Sequence, residues 1–173
     1  PQLSALLDVK KGLNKKVKMI SDGGIKFSGD IAKALAAGAD AVMVGSMLAG
    51  TSEAPGKIIK KKGKLFKVFR GMGSVGAMNK GSADRYFQKK QKDKSKYVPE
   101  GVEGLIKYKW EVSKTINKLV GGLRSSMGYL GAEQIKHLNK KAKFVKITKA
   151  GFYESMVHSI DEVKKNSEYL WKC

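Results

Sequence analysis

Two short turns carry the residue types that suit binding of a phosphate ester. Asp22-Gly23-Gly24 follows an apolar segment that ends at Ile20, and Gly45-Ser46 follows the apolar run Ala41-Val42-Met43-Val44. Small residues let a phosphate approach backbone N–H groups, and the N-terminus of a following helix adds partial positive charge. Either turn alone is more typical of a simple chain reversal, but the two together predict a phosphate site. The Asp22 carboxylate would repel phosphate and is better suited to a ribose hydroxyl.

A third glycine-rich segment, Gly71-Met72-Gly73-Ser74-Val75-Gly76, matches the pattern G-x-G-x-x-G and follows a strand-like segment at residues 65–69. A dinucleotide fingerprint also requires a helix that opens at the motif and an acidic residue about twenty positions later. Residues 77–82 predict no sustained helix, and the downstream acid, Asp93, lies within a run of lysines. We therefore reject a dinucleotide-binding role for this motif.

The histidines and the single cysteine predict no metal or nucleophilic centre. His137 and His158 lack the spacing of metal ligands, and we expect both at the surface. A lone cysteine, Cys173, excludes an intrachain disulfide framework and a thiolate zinc site. We expect no covalent cysteine chemistry within this chain.

The segments around the two turns alternate between helix and strand. They are a helix that ends near Lys11, a strand over residues 17–20, a helix from Ser28 or Asp30 to Gly38, and a strand over residues 41–44. The last of these is apolar throughout, which is typical of a strand buried on both faces. This order predicts parallel strands in an α/β layer or barrel, with functional loops at the carboxyl ends of the strands.

Beyond Thr51 the pattern changes to glycines, lysines and short strand-like pieces up to about Trp110, and we expect little regular structure there. An amphipathic helix follows, with one apolar face formed by Ile116, Leu119, Val120 and Leu123. Residues 144–148 predict a late strand before a charged tail. Eight βα units take about 250 residues, so these strands cannot close a barrel. We expect the C-terminal portion of a fold whose beginning is missing.

The composition favours one folded domain with a lysine-rich surface. The 173 residues include 35 Lys and Arg against 15 Asp and Glu, a formal charge of +20, and 42% are hydrophobic. Lysines concentrate at residues 57–67 and 89–96, with few aromatics suited to base stacking. We therefore expect only non-specific binding of nucleic acid. No apolar run reaches the roughly 18 residues that span a bilayer, so we expect a soluble, cytoplasmic protein without membrane contact.

Six ordered blocks carry a family resemblance. They are ISDGGI with SGD (20–25 and 28–30), VGSMLAG (44–50), RGMGS (70–74), DRYFQ (84–88), PEGVEG (99–104) and GGLRS (121–125). In this order and spacing they resemble the inosine-5′-monophosphate (IMP) dehydrogenase family from Pro1 to about Glu154. The resemblance implies a homotetrameric (β/α)8 TIM barrel with a long mobile flap. Residues 1–50 would be the last barrel units, 51–112 the flap and a finger-like insertion, and 113–173 the final barrel helix and the C-terminal segment.

The resemblance also implies a reaction and roles for particular residues. IMP is oxidised with NAD to xanthosine 5′-monophosphate (XMP): a loop cysteine upstream of Pro1 adds to the purine, hydride leaves, and the flap then replaces the dinucleotide while water hydrolyses the intermediate. Asp22 would hold the ribose; Gly24, Gly45 and Ser46 the phosphate; Gly71, Met72 and Gly73 the base and phosphate; and Glu100 the purine edge. Gly23, Phe69 and Arg70 complete the implied substrate site, Phe69 standing where the family usually has Tyr.

On the implied flap, Arg85 with Tyr86 would activate the water. An unperturbed guanidinium stays protonated at neutral pH, so Arg85 requires desolvation by the closed flap, or acts by orienting water and stabilising charge. The resemblance further implies that backbone carbonyls of Glu154, Ser155 and Met156 complete a neighbouring subunit's potassium site. The family often has Glu-Ser-His there, so Met156 is a departure.

Three alternatives differ in specific features. GMP reductase shares the phosphate turns but lacks, as a family, the Arg-Tyr pair present here as Arg85 and Tyr86. Flavin-dependent barrel oxidoreductases share only the DGG and GS turns. A basic nucleic-acid-binding module is supported by the charge alone, and salt-sensitive RNA binding that outcompetes nucleotide binding would favour it.

Overall fold

The computed structural model describes residues 1–14, 16–89 and 96–156 of the chain. The chain divides into two compact units, Pro1–Ala142 and Lys143–Cys173. No helix in the described part of the chain is both long enough and apolar enough to cross a lipid bilayer.

The first unit begins with alternating helices and strands. Helix α1 spans Gln2–Gly12, strand β1 Ile20–Asp22, helix α2 Ser28–Ala36 and strand β2 Ala41–Met43. Strands β1 and β2 pair in parallel, with Ile20 opposite Ala41 and Asp22 opposite Met43. The predicted helix–strand alternation and the parallel pairing are therefore confirmed.

Two expectations about these strands were wrong. Strand β1 starts at Ile20 rather than at residue 17, because its partner β2 begins only at Ala41, after the turn at Gly38. Strand β2 is not buried on both faces, since Ala41 and Met43 are exposed and Val42 is only partly buried. In the described residues this sheet has two strands, so β2 lacks a second neighbour.

The core of the first unit lies between helices. Helices α4 (Val112–Tyr129) and α5 (Ile135–Lys141) both pack on α2. Leu35 and Leu119 are buried at their contact and Leu138 is fully buried. On the predicted apolar face of α4, Leu119 and Leu123 reach this core, whereas Ile116 and Val120 remain exposed.

The region expected to be irregular contains a three-stranded antiparallel sheet. Strands β3 (Ile58–Lys61), β4 (Lys64–Arg70) and β5 (Glu103–Lys107) lie in that order. Lys62 and Gly63 join β3 to β4 with positive φ angles of 48° and 72°, as a tight two-residue hairpin turn requires. The expectation of little regular structure was wrong for these strands, although the strand-like segment predicted at residues 65–69 does lie within β4.

Short helical turns separate β4 from β5. They are α3 (Val75–Ala77), a π turn at Met78–Ser82 and a 3₁₀ turn at Ala83–Tyr86. The second unit contains α6 (Lys149–Glu154). Residues 144–148 form no strand, contrary to expectation, because Thr148 instead caps α6: its hydroxyl accepts a hydrogen bond of 3.1 Å from the Gly151 N–H.

Candidate functional site

The turn after β1 depends on two glycines with left-handed backbones. Gly23 and Gly24 have φ angles of +83° and +76°, a conformation that a side chain would strain. The Gln2 side chain donates a hydrogen bond of 3.2 Å to the carbonyl of Asp22. The Asp22 side chain is exposed at the carboxyl end of the strand. The turn thus offers an exposed carboxylate beside an open stretch of backbone.

The turn after β2 is built on the carbonyl of Gly45. The N–H groups of Leu48 and Ala49 donate to this oxygen at 3.0 and 3.1 Å, and both Gly45 and Ser46 are exposed. Because β1 and β2 are neighbouring parallel strands, the Asp22 and Ser46 turns lie at the same edge of the sheet. The structure therefore brings the two predicted phosphate-binding turns together.

Helix α2 follows the turn at Gly23 and Gly24, and its first helical turn contains an acidic residue. The carboxylate of Asp30 accepts backbone hydrogen bonds from Lys26 and Phe27, each of 3.0 Å, and pairs with Lys33 at 3.0 Å. Partial burial raises the pKa of Asp30, but the hydrogen bonds from Lys33, Lys26 and Phe27 outweigh it and hold that pKa below its usual value. Of the two predicted capping residues, Asp30 holds this turn by side-chain hydrogen bonds.

A second group of predicted residues meets at the carboxyl end of β4. The carbonyl of Gly73 accepts hydrogen bonds from the N–H groups of Glu100 and Gly101, at 2.9 and 3.0 Å. A side chain at Gly73 would lie 3.0 Å from the Tyr86 ring and 3.1 Å from the Glu100 backbone. Gly73, Tyr86 and Glu100 are therefore packed together, and a side chain at Gly73 would require its neighbours to shift.

The same loop is held from the β5 side. The N–H of Gly71 donates to the carbonyl of Val102 at 2.8 Å. One carboxylate oxygen of Glu103 accepts from the N–H of Gly76 at 2.8 Å and lies 3.8 Å from the Arg70 guanidinium. Sequence reasoning did not single out Glu103, because the pairing of β5 with β4 that brings it opposite Arg70 was not predicted.

Arg85 and Tyr86 lie in the 3₁₀ turn and differ in exposure. Tyr86 is partly buried and packs against the cluster of Met78, Ala83 and Tyr97, while Arg85 is exposed. A groove of about 470 Å³ beside them is lined by Met78, Gly81, Ala83, Asp84, Phe87, Gln88 and Lys89. The Arg85 side chain is therefore open to solvent, whereas Tyr86 packs the turn against this cluster.

The two ends of the lysine-rich segment that follows Arg85 are tied to each other. The Gln88 side-chain amide donates to the carbonyl of Val98 at 2.9 Å and accepts from its N–H at 3.1 Å. Most of the lysine run between them, residues 90–95, lies outside the described residues.

Two charged residues missed by the sequence analysis lie between these two groups along the chain. The Glu53 carboxylate accepts hydrogen bonds of 3.0 and 2.9 Å from the N–H of Val112, at the start of α4. This bond is the main cause of a lowered pKa for Glu53. Lys67, expected among surface lysines, is only 2% exposed. Neither belongs to a motif block, so no sequence signal marked them.

In the described residues, no three His, Cys, Asp or Glu side chains gather as a metal site. His137 is partly exposed, and His158 and Cys173 lie outside the described residues. Glu154 ends α6, and Ser155 and Met156 follow it, donating through their N–H groups to the carbonyls of Gly151 and Tyr153. A helix C-terminus carries partial negative charge, so main-chain oxygens here suit a cation.

Comparisons with known proteins agree with the sequence blocks. The family model for the IMP dehydrogenase / GMP reductase domain matches residues 1–158. The chain is 53% identical to the inosine-5′-monophosphate dehydrogenase of Bacillus subtilis (strain 168) over 170 residues, covering 98% of this chain and 34% of that protein. It is 52% identical to the inosine-5′-monophosphate dehydrogenase of Escherichia coli (strain K12), covering 98% of this chain and 35% of that protein.

A solved structure gives a similar result. A GMP reductase variant from Trypanosoma brucei, in complex with guanosine 5′-monophosphate, matches with a TM-score of 0.77 and 45% sequence identity. The match covers 92% of this chain and 32% of that one. The chain therefore spans about a third of the length of the relatives that it matches.

Proposed function

The chain belongs to the IMP dehydrogenase / GMP reductase family, and from this premise we propose that it is part of an enzyme that oxidises IMP to XMP with NAD and water. It would supply the C-terminal portion of a (β/α)8 barrel, with residues 51–112 as the flap and finger-like insertion. The observation that carries this proposal is the packing of Gly73 against Tyr86 and Glu100. These residues come from three separate blocks that the IMP dehydrogenase resemblance links to substrate and flap.

The nucleotide would bind across the two groups of residues. The exposed Asp22 carboxylate accepts hydrogen bonds from ribose hydroxyls, and the Gly24, Gly45 and Ser46 turns donate to the phosphate. The open left-handed backbone of Gly23 and Gly24 supports this role. Gly71, Met72 and Gly73 would lie along the base and phosphate, with Phe69 and Arg70 leading into that loop and Glu100 at the purine edge.

The oxidation balances as IMP, NAD⁺ and water giving XMP, NADH and a proton. A cysteine outside this chain adds to the purine carbon that is oxidised, and the hydride lost from that carbon is accepted by NAD. The carbon–sulfur bond then breaks as the oxygen of water bonds to the same carbon. The helix after the G-x-G-x-x-G motif has only three residues, Val75–Ala77, which does not fit a dinucleotide pyrophosphate site. We assign no residue of this chain to NAD.

Arg85 would act in the second half of the reaction. Its guanidinium is exposed on the 3₁₀ turn beside the groove, while Tyr86 anchors that turn against Gly73. Arg85 orients the attacking water and stabilises the charge that develops as the water loses its proton. Tyr86 keeps this cation in reach of the purine that Glu100 contacts.

A potassium ion would bind to carbonyl oxygens of Glu154, Ser155 and Met156. Main-chain oxygens are the ligands that hold potassium in selective sites, and the C-terminal end of α6 presents such oxygens. These residues would complete the site of a neighbouring subunit in a homotetramer. When bound, the ion supplies positive charge that fixes the loops around it.

GMP reductase is the second candidate function. The similarity to a GMP reductase variant in complex with guanosine 5′-monophosphate favours it. The presence of Arg85 next to Tyr86 favours IMP dehydrogenase, because reduction of GMP includes no hydrolytic step that would use them. Both functions share the same phosphate turns.

An assay of the complete protein separates the two. With IMP, NAD and potassium, an IMP dehydrogenase forms NADH and XMP in equal amounts. A GMP reductase instead consumes reduced nicotinamide when GMP is supplied. Formation of NADH from IMP supports our proposal, and activity with GMP alone would overturn it.

A further inference from the structure

Lys67 is a buried ammonium group with three carbonyl partners. It lies in the middle of β4 and is 2% exposed, whereas Lys64 on the same strand is exposed. Its Nζ donates to the carbonyl oxygens of Thr51 at 2.6 Å and Ser52 at 2.9 Å, and also to that of Ala54. An ammonium group has three donors, so these oxygens use all of them.

Such an arrangement is costly unless the charge is fully compensated, because burial removes the hydration of the ammonium. Compensation comes from the three carbonyl dipoles and from the nearby Glu53 carboxylate, whose pKa Lys67 helps to lower. Glu53 in turn binds the first N–H of α4. The segment from Thr51 to Ala54 is therefore held between β4 on one side and α4 on the other.

This segment continues directly from the turn at Gly45 and Ser46. The N–H and the hydroxyl of Thr51 both donate to the carbonyl of Leu48, at 3.0 and 2.8 Å. The N–H of Leu48 donates to the carbonyl of Gly45 at 3.0 Å. A chain of hydrogen bonds thus runs from the Lys67 ammonium to the phosphate turn.

A second lysine ties the same turn to the neighbouring strand. The Nζ of Lys109, just after β5, donates to the carbonyl of Met47 at 3.0 Å, and its N–H donates to that of Gly50 at 2.8 Å. A side chain at Gly50 would collide with the Lys107 carbonyl. The paired strands β4 and β5 therefore contact the phosphate turn at one end and carry the loop at Gly71–Gly73 and the Glu100 segment at the other.

We propose that Lys67 is a positioning residue that sets the phosphate turn at Gly45 and Ser46 relative to the loop that follows β4, so that both reach one nucleotide. This inference rests on the proposed function, since it assigns Lys67 to the binding of IMP. Lys67 does not touch the nucleotide. It acts through the carbonyl oxygens of residues 51–54.

The test replaces Lys67 in the complete protein and measures the KM for IMP, the KM for NAD and kcat. Lys67→Met leaves three carbonyls without their donor and frees the phosphate turn, so we expect the KM for IMP to rise about tenfold or more. The KM for NAD and kcat at saturating IMP should change less than about twofold. Lys67→Gln, whose side-chain amide keeps two N–H donors, is a milder variant and should give a smaller rise in the KM for IMP.

Lys64→Met is the matched control, because it removes the same charge from an exposed position of the same strand. It should leave all three constants within about twofold of the unsubstituted protein. If Lys67→Met and Lys67→Gln lower only the melting temperature or the amount of active enzyme, with an unchanged KM for IMP, Lys67 has a purely structural role and the inference is wrong. Failure of the unsubstituted protein to form NADH from IMP would instead overturn the proposed function, and this inference with it.

Discussion

At the scale of single residues, the candidate site combines small residues that leave the backbone open with a few exposed polar groups. Gly23 and Gly24 adopt left-handed conformations, and Ser46 and Asp22 are exposed at the ends of neighbouring strands. None of these residues is buried in the core, and we propose that they bind the ligand. Substitutions of Asp22 and Ser46 should therefore change affinity more than stability.

Ser46→Ala tests the phosphate turn. We expect the variant of the complete protein to bind IMP more weakly by about 1 to 2 kcal/mol, because a hydrogen bond to a charged phosphate is lost. Titration calorimetry measures this directly. Ser125→Ala is the control, since in the part of the chain that the structure describes that hydroxyl bonds within its own helix, to the Gly121 carbonyl at 3.1 Å. Equal affinities for the Ser46 and Ser125 variants would refute the assignment of Ser46.

Asp30→Asn tests how the carboxylate in the first turn of α2 makes the stability of the protein depend on pH. The pKa of Asp30 is lowered in the folded protein from its usual value of 3.8. In the pH range between the two pKa values, the unfolded chain binds more protons, so stability rises with pH. The stabilisation is therefore complete well above pH 3.8 and is lost as the pH falls through the folded pKa.

We expect Asp30→Asn to have a lower melting temperature than the unsubstituted protein at pH 7. The difference between the two melting temperatures should become smaller below about pH 3.8. Thermal unfolding followed by circular dichroism at a series of pH values measures both. Asp8→Asn, at an exposed carboxylate that pairs with Lys11, should have a small effect at every pH. A constant deficit for the Asp30 variant across the whole series would contradict the linkage.

At the scale of elements, helix α4 packs on α2 at a glycine. A Cβ at Gly122 would overlap the Ser28 side chain, whereas a Cβ at the adjacent Gly121 would meet nothing within 4 Å. Gly122 therefore leaves no room for a larger residue, whereas the neighbouring Gly121 does.

We expect Gly122→Ala to destabilise the protein by about 1 to 3 kcal/mol through overpacking. Gly121→Ala should be neutral or stabilising by up to about 1 kcal/mol, because alanine favours helix over glycine. Chemical denaturation of both variants measures the difference. If Gly122→Ala is as stable as Gly121→Ala, the α2–α4 contact is not as close as the structure indicates.

Elements with local signals were predictable from the sequence. The apolar face of α4 and the alternation of α1, β1, α2 and β2 depend on residues a few positions apart. The strand-like segment at residues 65–69 was predicted and lies within β4, but its pairing was missed. Strand β5 pairs with β4 from more than 30 residues away, a distance at which local periodicity carries no information. Residues 144–148 have strand-like side chains, but Thr148 caps a helix instead.

The candidate site, like the fold, was predictable where local sequence signals exist. Motif blocks identified the turns at Gly23 and Ser46 and the loop at Gly73, since glycine requirements are visible in the sequence. Glu103 and Lys67 escaped, because their roles depend on strand pairing and on burial within a lysine-rich hairpin. In the sequence, nothing distinguishes the buried Lys67 from the exposed Lys64 on the same strand.

At the scale of the whole molecule, the chain spans about a third of the length of its relatives, so the proposed activity is tested on the complete protein. One consequence concerns potassium. If Glu154, Ser155 and Met156 bind the ion through backbone oxygens, Met156→Ala should leave the potassium dependence of the rate nearly unchanged. The half-maximal potassium concentration measures this. A shift of about tenfold or more would show that the Met156 side chain takes part.

The central claim is that this chain carries the residues for the hydrolytic half of IMP oxidation. Rapid mixing of the complete Arg85→Ala variant with IMP and NAD tests it, because the first burst of NADH and the later steady rate are measured separately. We predict an unchanged burst and a steady rate lowered by about 10² to 10⁴, or about 3 to 5 kcal/mol of barrier, as the covalent intermediate accumulates. A burst slowed as much as the steady rate would place Arg85 in binding or hydride transfer and contradict the account.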